Sequence, residues 1–185
     1  TTGFEKAKAE LRQNGATLTS LSIPELNLKK LRQRAFLIIE MEGSEALVGP
    51  LQDHPGSFSD GLKAMFDYGR NAPREQIESA QRTIAEVKAA TSHVFDGVDL
   101  LISPTAPQTA FAFDGPIPDD QAELTALANV CGFPAITIPS GLDASGLPLA
   151  IQLVAPACQE AILFGAAMAM ENIWGNFIPP LITSH

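Results

Sequence analysis

Three histidines, two cysteines and a scatter of serines are the residues with which this chain could do chemistry. Their spacing decides which chemistry is open to them. A metal needs ligands at helical or turn spacing, such as two histidines four apart or paired cysteines a few residues apart. His54, His93 and His185 stand far apart, and neither Cys131 nor Cys158 has a histidine beside it. No metal and no cofactor is expected. A serine hydrolase places its nucleophile on a tight strand-to-helix turn, often Gly-x-Ser-x-Gly, and uses the next backbone N–H to bind the oxyanion. That motif is absent. Ser103 ends an apolar run, where strands deliver active-site groups, but Pro104 follows it and has no N–H. Ser103 is therefore read as structural, and no catalytic residue is assigned. The glycines at 141 and 146 are too loosely placed for a phosphate loop and suit a turn between two strands.

The elements that would position these residues follow from hydrophobic spacing. Phe4, Ala7 and Leu11 share one face of a helix over residues 2–14, with Gly15 as its stop. The alternating leucines of residues 16–23 predict a strand ended by Pro24. A helix over 27–48 follows, closed by Gly49-Pro50, then a short one capped by Ser59-Asp60. Spacings of three and four through Ile77, Ala80, Ile84, Val87, Thr91 and Val94 mark the clearest helix. Val98-Asp99-Leu100-Leu101-Ile102-Ser103 is apolar on both faces, as a buried strand is. The Pro- and Gly-rich stretch 104–120 is a loop. Asp119 or Asp120 then caps a helix through Cys131, stopped by Gly132. Two strands, 135–139 and 149–154, are joined too closely for anything but an antiparallel pair. An Ala/Met/Leu-rich helix over 159–171 closes the pattern. Strands alternating with helices predict an α/β fold with a mixed, mostly parallel sheet flanked by helices. Gln152, polar amid apolar neighbours, must find buried partners or serve a loop that needs its amide.

Composition narrows the function classes. Hydrophobic residues make up 45% and charged residues 18%, which fits a globular domain and not a disordered chain. The net charge of −9 repels phosphates, and the basic run Lys29-Lys30-Leu31-Arg32-Gln33-Arg34 reads as a solvated helix face, so no nucleic acid is expected. No apolar run reaches the roughly 20 residues of a membrane span, and residues 1–14 do not resemble a secretory signal. Both cysteines sit in apolar surroundings and read as small core residues in a reducing compartment. The expected location is the cytoplasm.

Two stretches carry a resemblance. One is Asp99-Leu100-Leu101-Ile102-Ser103-Pro104-Thr105-Ala106-Pro107. The other contains Asn129-Val130-Cys131-Gly132-Phe133-Pro134-Ala135 and Ile138-Pro139-Ser140-Gly141, then Gly146-Leu147-Pro148-Leu149-Ala150-Ile151-Gln152. In order and spacing they resemble the C-terminal hallmarks of the amidase-signature family. The likeness extends over nearly the whole chain and is loosest over residues 25–73.

That resemblance implies an amidase-type α/β/α sandwich, of which residues 1–185 would form a single C-terminal segment. Family members hydrolyse or transfer amides through a serine nucleophile, a second serine with a cis peptide bond, and a lysine. All three lie in segments nearer the N-terminus than the matched stretches. This chain has no Gly-Gly-Ser-Ser-Gly-like stretch, so it is expected to be inactive alone. In the family the C-terminal part completes the sheet and lines the pocket for a small amide. Pro104, Thr105, Ala106 and Pro107 are the implied pocket lining, with Asn129 and Cys131 as further candidates. Relatives that take ammonia from glutamine hold it with an arginine and an aspartate, and Met65 and Ala122 fall at those places. A simple or hydrophobic amide is thereby implied. Three roles are open: a segment of an amidase, a binding or scaffolding module docked on a separate N-terminal polypeptide, or a complete enzyme with an unfamiliar site. The expected partner surface faces an N-terminal amidase half or a second copy.

Overall fold

The computed structural model describes residues 2–23 and 26–175, and the chain divides into two compact units, Thr1–Ser22 with His93–His185, and Ile23–Ser92. His185 and Pro24, which the sequence reading singled out, lie outside the described residues.

The first unit holds the sheet. Helix α1 (Thr2–Gln13) is followed by residues 16–23, which form no strand among the described residues. The strand expected there is absent. Its alternating leucines have no neighbouring strand to bury against, and Leu21 is half exposed. Later in the chain come β1 (Leu101–Pro104), α6 (Ala126–Cys131), β2 (Ala135–Leu142), β3 (Pro148–Val154) and α7 (Glu160–Trp174). The strands stand in the order β1-β3-β2, and both pairings are antiparallel. An α/β fold results, but the expectation of a mostly parallel sheet is corrected. β1 and β2 do run in one direction, because the connection through α6 returns the chain across the sheet. β3 lies between them and opposes both.

One face of this sheet carries the core. Ile138, Ile151 and Leu153 are buried against Ala7 of α1 and Leu163 and Ala167 of α7, with Ile102 and Ile136 beside them. The indole N–H of Trp174 donates to the Glu10 carboxylate at 2.8 Å and ties α7 to α1. Pro139 sits on the edge strand β2, where a missing N–H is tolerated, and the register shifts between Pro139 and Gly141. Gly132 ends α6 at φ +71°, a left-handed conformation that glycine adopts without strain. α6 is shorter than expected because residues 121–125 form turns instead of a first helical turn.

The second unit is helical, with α2 (Leu28–Ala46), α3 (Val48–Asp53), α4 (Asp60–Arg70) and α5 (Arg74–Ala90), and a single 3-10 turn at Pro55–Ser57. Asn27 caps α2 by accepting from the Lys30 N–H at 2.8 Å, and Ser59 caps α4 by accepting from Leu62 at 3.2 Å. Gly49-Pro50 does not end the helical region. Pro50 falls in the first turn of α3, where its N–H is not needed. Gly69 lets α4 approach α2 so closely that an added Cβ would stand 2.5 Å from the Glu40 carbonyl carbon. α5 stops at Ala90, and the Thr91 hydroxyl bonds back to the Val87 carbonyl at 2.8 Å. Among the described residues no helix is long and apolar enough to cross a membrane.

Candidate functional site

Alternation along β3 sends Ile151 and Leu153 to the core and Gln152 to the opposite face of the sheet. The register places Ser103 of β1 and Thr137 of β2 directly across from Gln152, one on each side. A row of two hydroxyls and one amide therefore crosses this second face. The Gln152 amide is 5% exposed, so its donors cannot rely on water. It donates to the Leu124 carbonyl at 3.1 Å and to the Ser103 hydroxyl at 3.4 Å. Thr105, just beyond β1, extends the row. Its N–H donates to the Ala150 carbonyl at 3.1 Å, and its hydroxyl donates to that of Thr137 at 3.3 Å.

Of the residues the sequence marks as pocket lining, Pro104 and Thr105 are half-buried at the end of β1, and Ala106 and Pro107 are exposed just after it. Asn129 is exposed and Cys131 half-buried on α6. Two residues apart on a helix, they point to different sides of it. Thr137 escaped the sequence reading. Its signal lies in Ile136-Thr137-Ile138, where one hydroxyl between two core-facing isoleucines must face away from the core. Cys158 is not the core residue expected. It is exposed at φ 63°, in the turn that leads into α7.

A second anchor lies at the β2–β3 turn. The Asp143 carboxylate accepts from the Leu147 N–H at 2.9 Å and the Ser145 N–H at 2.8 Å. The Leu147 amide is the main reason the carboxyl is held below the usual aspartate range. The Ser145 and Gly146 amides and the Thr109 hydroxyl add to it against a desolvation cost. Thr109 belongs to the loop after β1. The loop itself presents Phe111, Phe113 and Ile117 to solvent.

Elsewhere there is less to build on. A groove of about 240 Å³ in the helical unit is lined by Leu51, Lys63, Phe66, Asp67 and Arg70, among others. Its cations are already engaged, Lys63 with Asp60 at 2.8 Å and Arg70 with Asp67 at 3.6 Å. His54 lies in an exposed loop, and His93 contacts Asp96 at 3.0 Å. Among the described residues no three His, Cys, Asp or Glu side chains gather as a metal would require.

The site can offer hydrogen bonds. Its hydroxyls and amide are neutral, and its members bond to one another and to backbone carbonyls. The one side chain bonded to the Ser103 hydroxyl across the sheet, Gln152, is a neutral amide that donates to it.

Comparison with known proteins supplies a context. A profile of the amidase family matches residues 1–164. A glutamyl-tRNA(Gln) amidotransferase subunit from Paenarthrobacter aurescens is 39% identical over 210 residues, covering 94% of this chain and 40% of that protein. The corresponding protein from Leptospira interrogans is 35% identical over 102 residues, or 52% of this chain and 21% of that one. A bacterial aryl acylamidase of the amidase-signature enzymes superposes with a TM-score of 0.75 at 20% identity, over 93% of this chain and 39% of its own. At that identity the likeness speaks for the fold. The chain spans between about a fifth and two fifths of these proteins.

Proposed function

The chain belongs to the amidase family, and from that premise we propose that it is the C-terminal part of an amide-cleaving enzyme whose serine nucleophile, second serine and lysine lie in other sequence. Residues 1–185 act as one segment that completes the sheet and walls the pocket, and alone they do not hydrolyse amides. The observation that carries this reading is the state of Ser103. Its hydroxyl accepts a hydrogen bond from the Gln152 amide, a neutral donor that cannot take a proton, and Pro104 after it offers no N–H to an oxyanion.

Pro104, Thr105, Ala106 and Pro107 form the pocket lining of this reading, with Asn129 and Cys131 as outlying members. The substrate is a small amide without charged ends. Met65 and Ala122 stand where glutamine-using relatives are expected to carry an arginine and an aspartate, and the hydroxyl row on the sheet is uncharged. The compartment is the cytoplasm.

A second reading has its own support. The relatives at 39% and 35% identity are named as subunits, which supports assembly of the parent protein with other polypeptides, a module docked on a separate N-terminal polypeptide being one form of it.

Intact-mass measurement after exposure to a reactive fluorophosphonate tests the first claim. The folded chain is expected to stay unmodified. A stoichiometric adduct on one of its serines would overturn the claim, with Ser103 the first position to map. Efficient glutamine hydrolysis by the whole enzyme would refute the uncharged-substrate assignment. Co-purification of a discrete amidase polypeptide would favour the docked module.

A further inference from the structure

We propose that Gln152 is the positioning residue for the loop that joins β1 to α6, holding in place the segment that carries Thr105. The proposal rests on the reading that this segment lines the amide pocket. Position 152 lies in the buried half of β3, where packing would be satisfied by leucine, yet it holds a glutamine that is 5% exposed. Such a group is kept for its hydrogen bonds.

Those bonds reach far along the chain. Leu124 is the last residue of the loop before the Thr125 cap of α6, and its carbonyl lies outside the helix ladder, whose first bond runs from the Asn129 N–H to the Thr125 carbonyl. The Gln152 amide supplies that carbonyl with a donor at 3.1 Å. At the other end of the loop, the same amide reaches Ser103 at 3.4 Å, two residues before Thr105. Thr105 is pinned in turn by the Ala150 carbonyl and the Thr137 hydroxyl. A single side chain on the central strand therefore bonds to residues on both flanks of the loop. Among the described residues the other hydrogen bonds of the turn before α6 are local, Glu123 N–H to the Asp120 carbonyl at 2.9 Å and the Thr125 hydroxyl to the Ala122 carbonyl at 3.2 Å.

Hydrogen–deuterium exchange on the full 185-residue chain tests the proposal. Gln152→Leu keeps the bulk and removes the donor. Exchange over residues 105–125 is expected to rise about tenfold, the scale of one lost buried hydrogen bond, while the β2–β3 pairing and α7 keep their protection. Gln152→Glu gives a readout that packing alone would not move. Its carboxylate faces the Leu124 carbonyl at neutral pH and leaves the loop as exposed as in Gln152→Leu. Protonation on acidification restores an O–H donor, so loop protection returns in Gln152→Glu and not in Gln152→Leu. Ser103→Ala, which leaves the Leu124 bond, is expected to change loop exchange by less than about twofold. Unchanged exchange over 105–125 in Gln152→Leu would overturn the proposal. So would a uniform rise over the whole chain in both variants. The pocket reading fails by a different sign, normal turnover in a whole enzyme carrying Thr105→Val with loop exchange still dependent on Gln152.

Discussion

Asp143 gathers two backbone N–H groups onto one carboxylate, and its titration should be visible in the turn it holds. The folded chain keeps this carboxyl below the ordinary value of 3.8, chiefly through the Leu147 amide. A lowered value means that the stabilisation is complete above the ordinary value and is lost as pH falls through the lowered one. Exchange at the Ser145 and Leu147 amides, corrected for intrinsic rates, should therefore accelerate only at the acid end. Asp143→Asn keeps an acceptor and should flatten that dependence, whereas Asp143→Ala should loosen the turn at every pH. Much of the site at this scale was legible beforehand. A glutamine amid apolar residues announces a need for partners, and Gln152 has them. Which partners could not be read, because Leu124 and Ser103 are brought to it by strand order and not by spacing. Thr137 went unseen for the same reason. A hydroxyl on an outward face carries no signal until the register sets it beside another.

Caps and close contacts decide the elements. Ser59→Ala removes the acceptor for the Leu62 N–H and should lower stability by about 1 kcal/mol in urea unfolding. Gly69→Ala should cost more, about 1–3 kcal/mol, since the new methyl meets main-chain atoms of Glu40 and Met41 that cannot rotate aside. Leu153→Ala, in the buried face of β3, should cost about 2–5 kcal/mol by the same measurement. Helices were the elements best read from sequence, since an apolar stripe at spacings of three and four reports a local periodicity. The Asn27 and Ser59 starts, the Gly132 stop and the β2–β3 hairpin are local too. Strand pairing is not. The leucines of residues 16–23 alternate like a strand, yet a strand exists only with a neighbour. The apolar run at β1 reads as a buried central strand, yet β1 is half-buried and stands at the edge of the described sheet, paired antiparallel with β3. Pro50 misled in another way, because a proline that ends a helix when it falls inside begins one when it falls in the first turn.

For the whole molecule, the net charge of −9 disfavours partners rich in phosphate. In a polypeptide that carries both this chain and the Gly/Ser-rich signature, the fluorophosphonate adduct should map outside residues 1–185. Ser103→Ala should leave its yield unchanged, which peptide mass mapping can check. The strand order has a consequence for how the chain is made. The central strand of the sheet is the last of the three to be synthesised, so β1 leaves the ribosome before β3, its partner among the described residues, which follows only after residues 105–147. Through that interval Leu101 and Ile102 are open to chaperones or to a neighbouring nascent chain. A pause or premature stop before Pro148 would release the α2–α5 helices in full but two strands that cannot pair as the finished sheet requires, so the unit most exposed to translation errors is the one that carries the site.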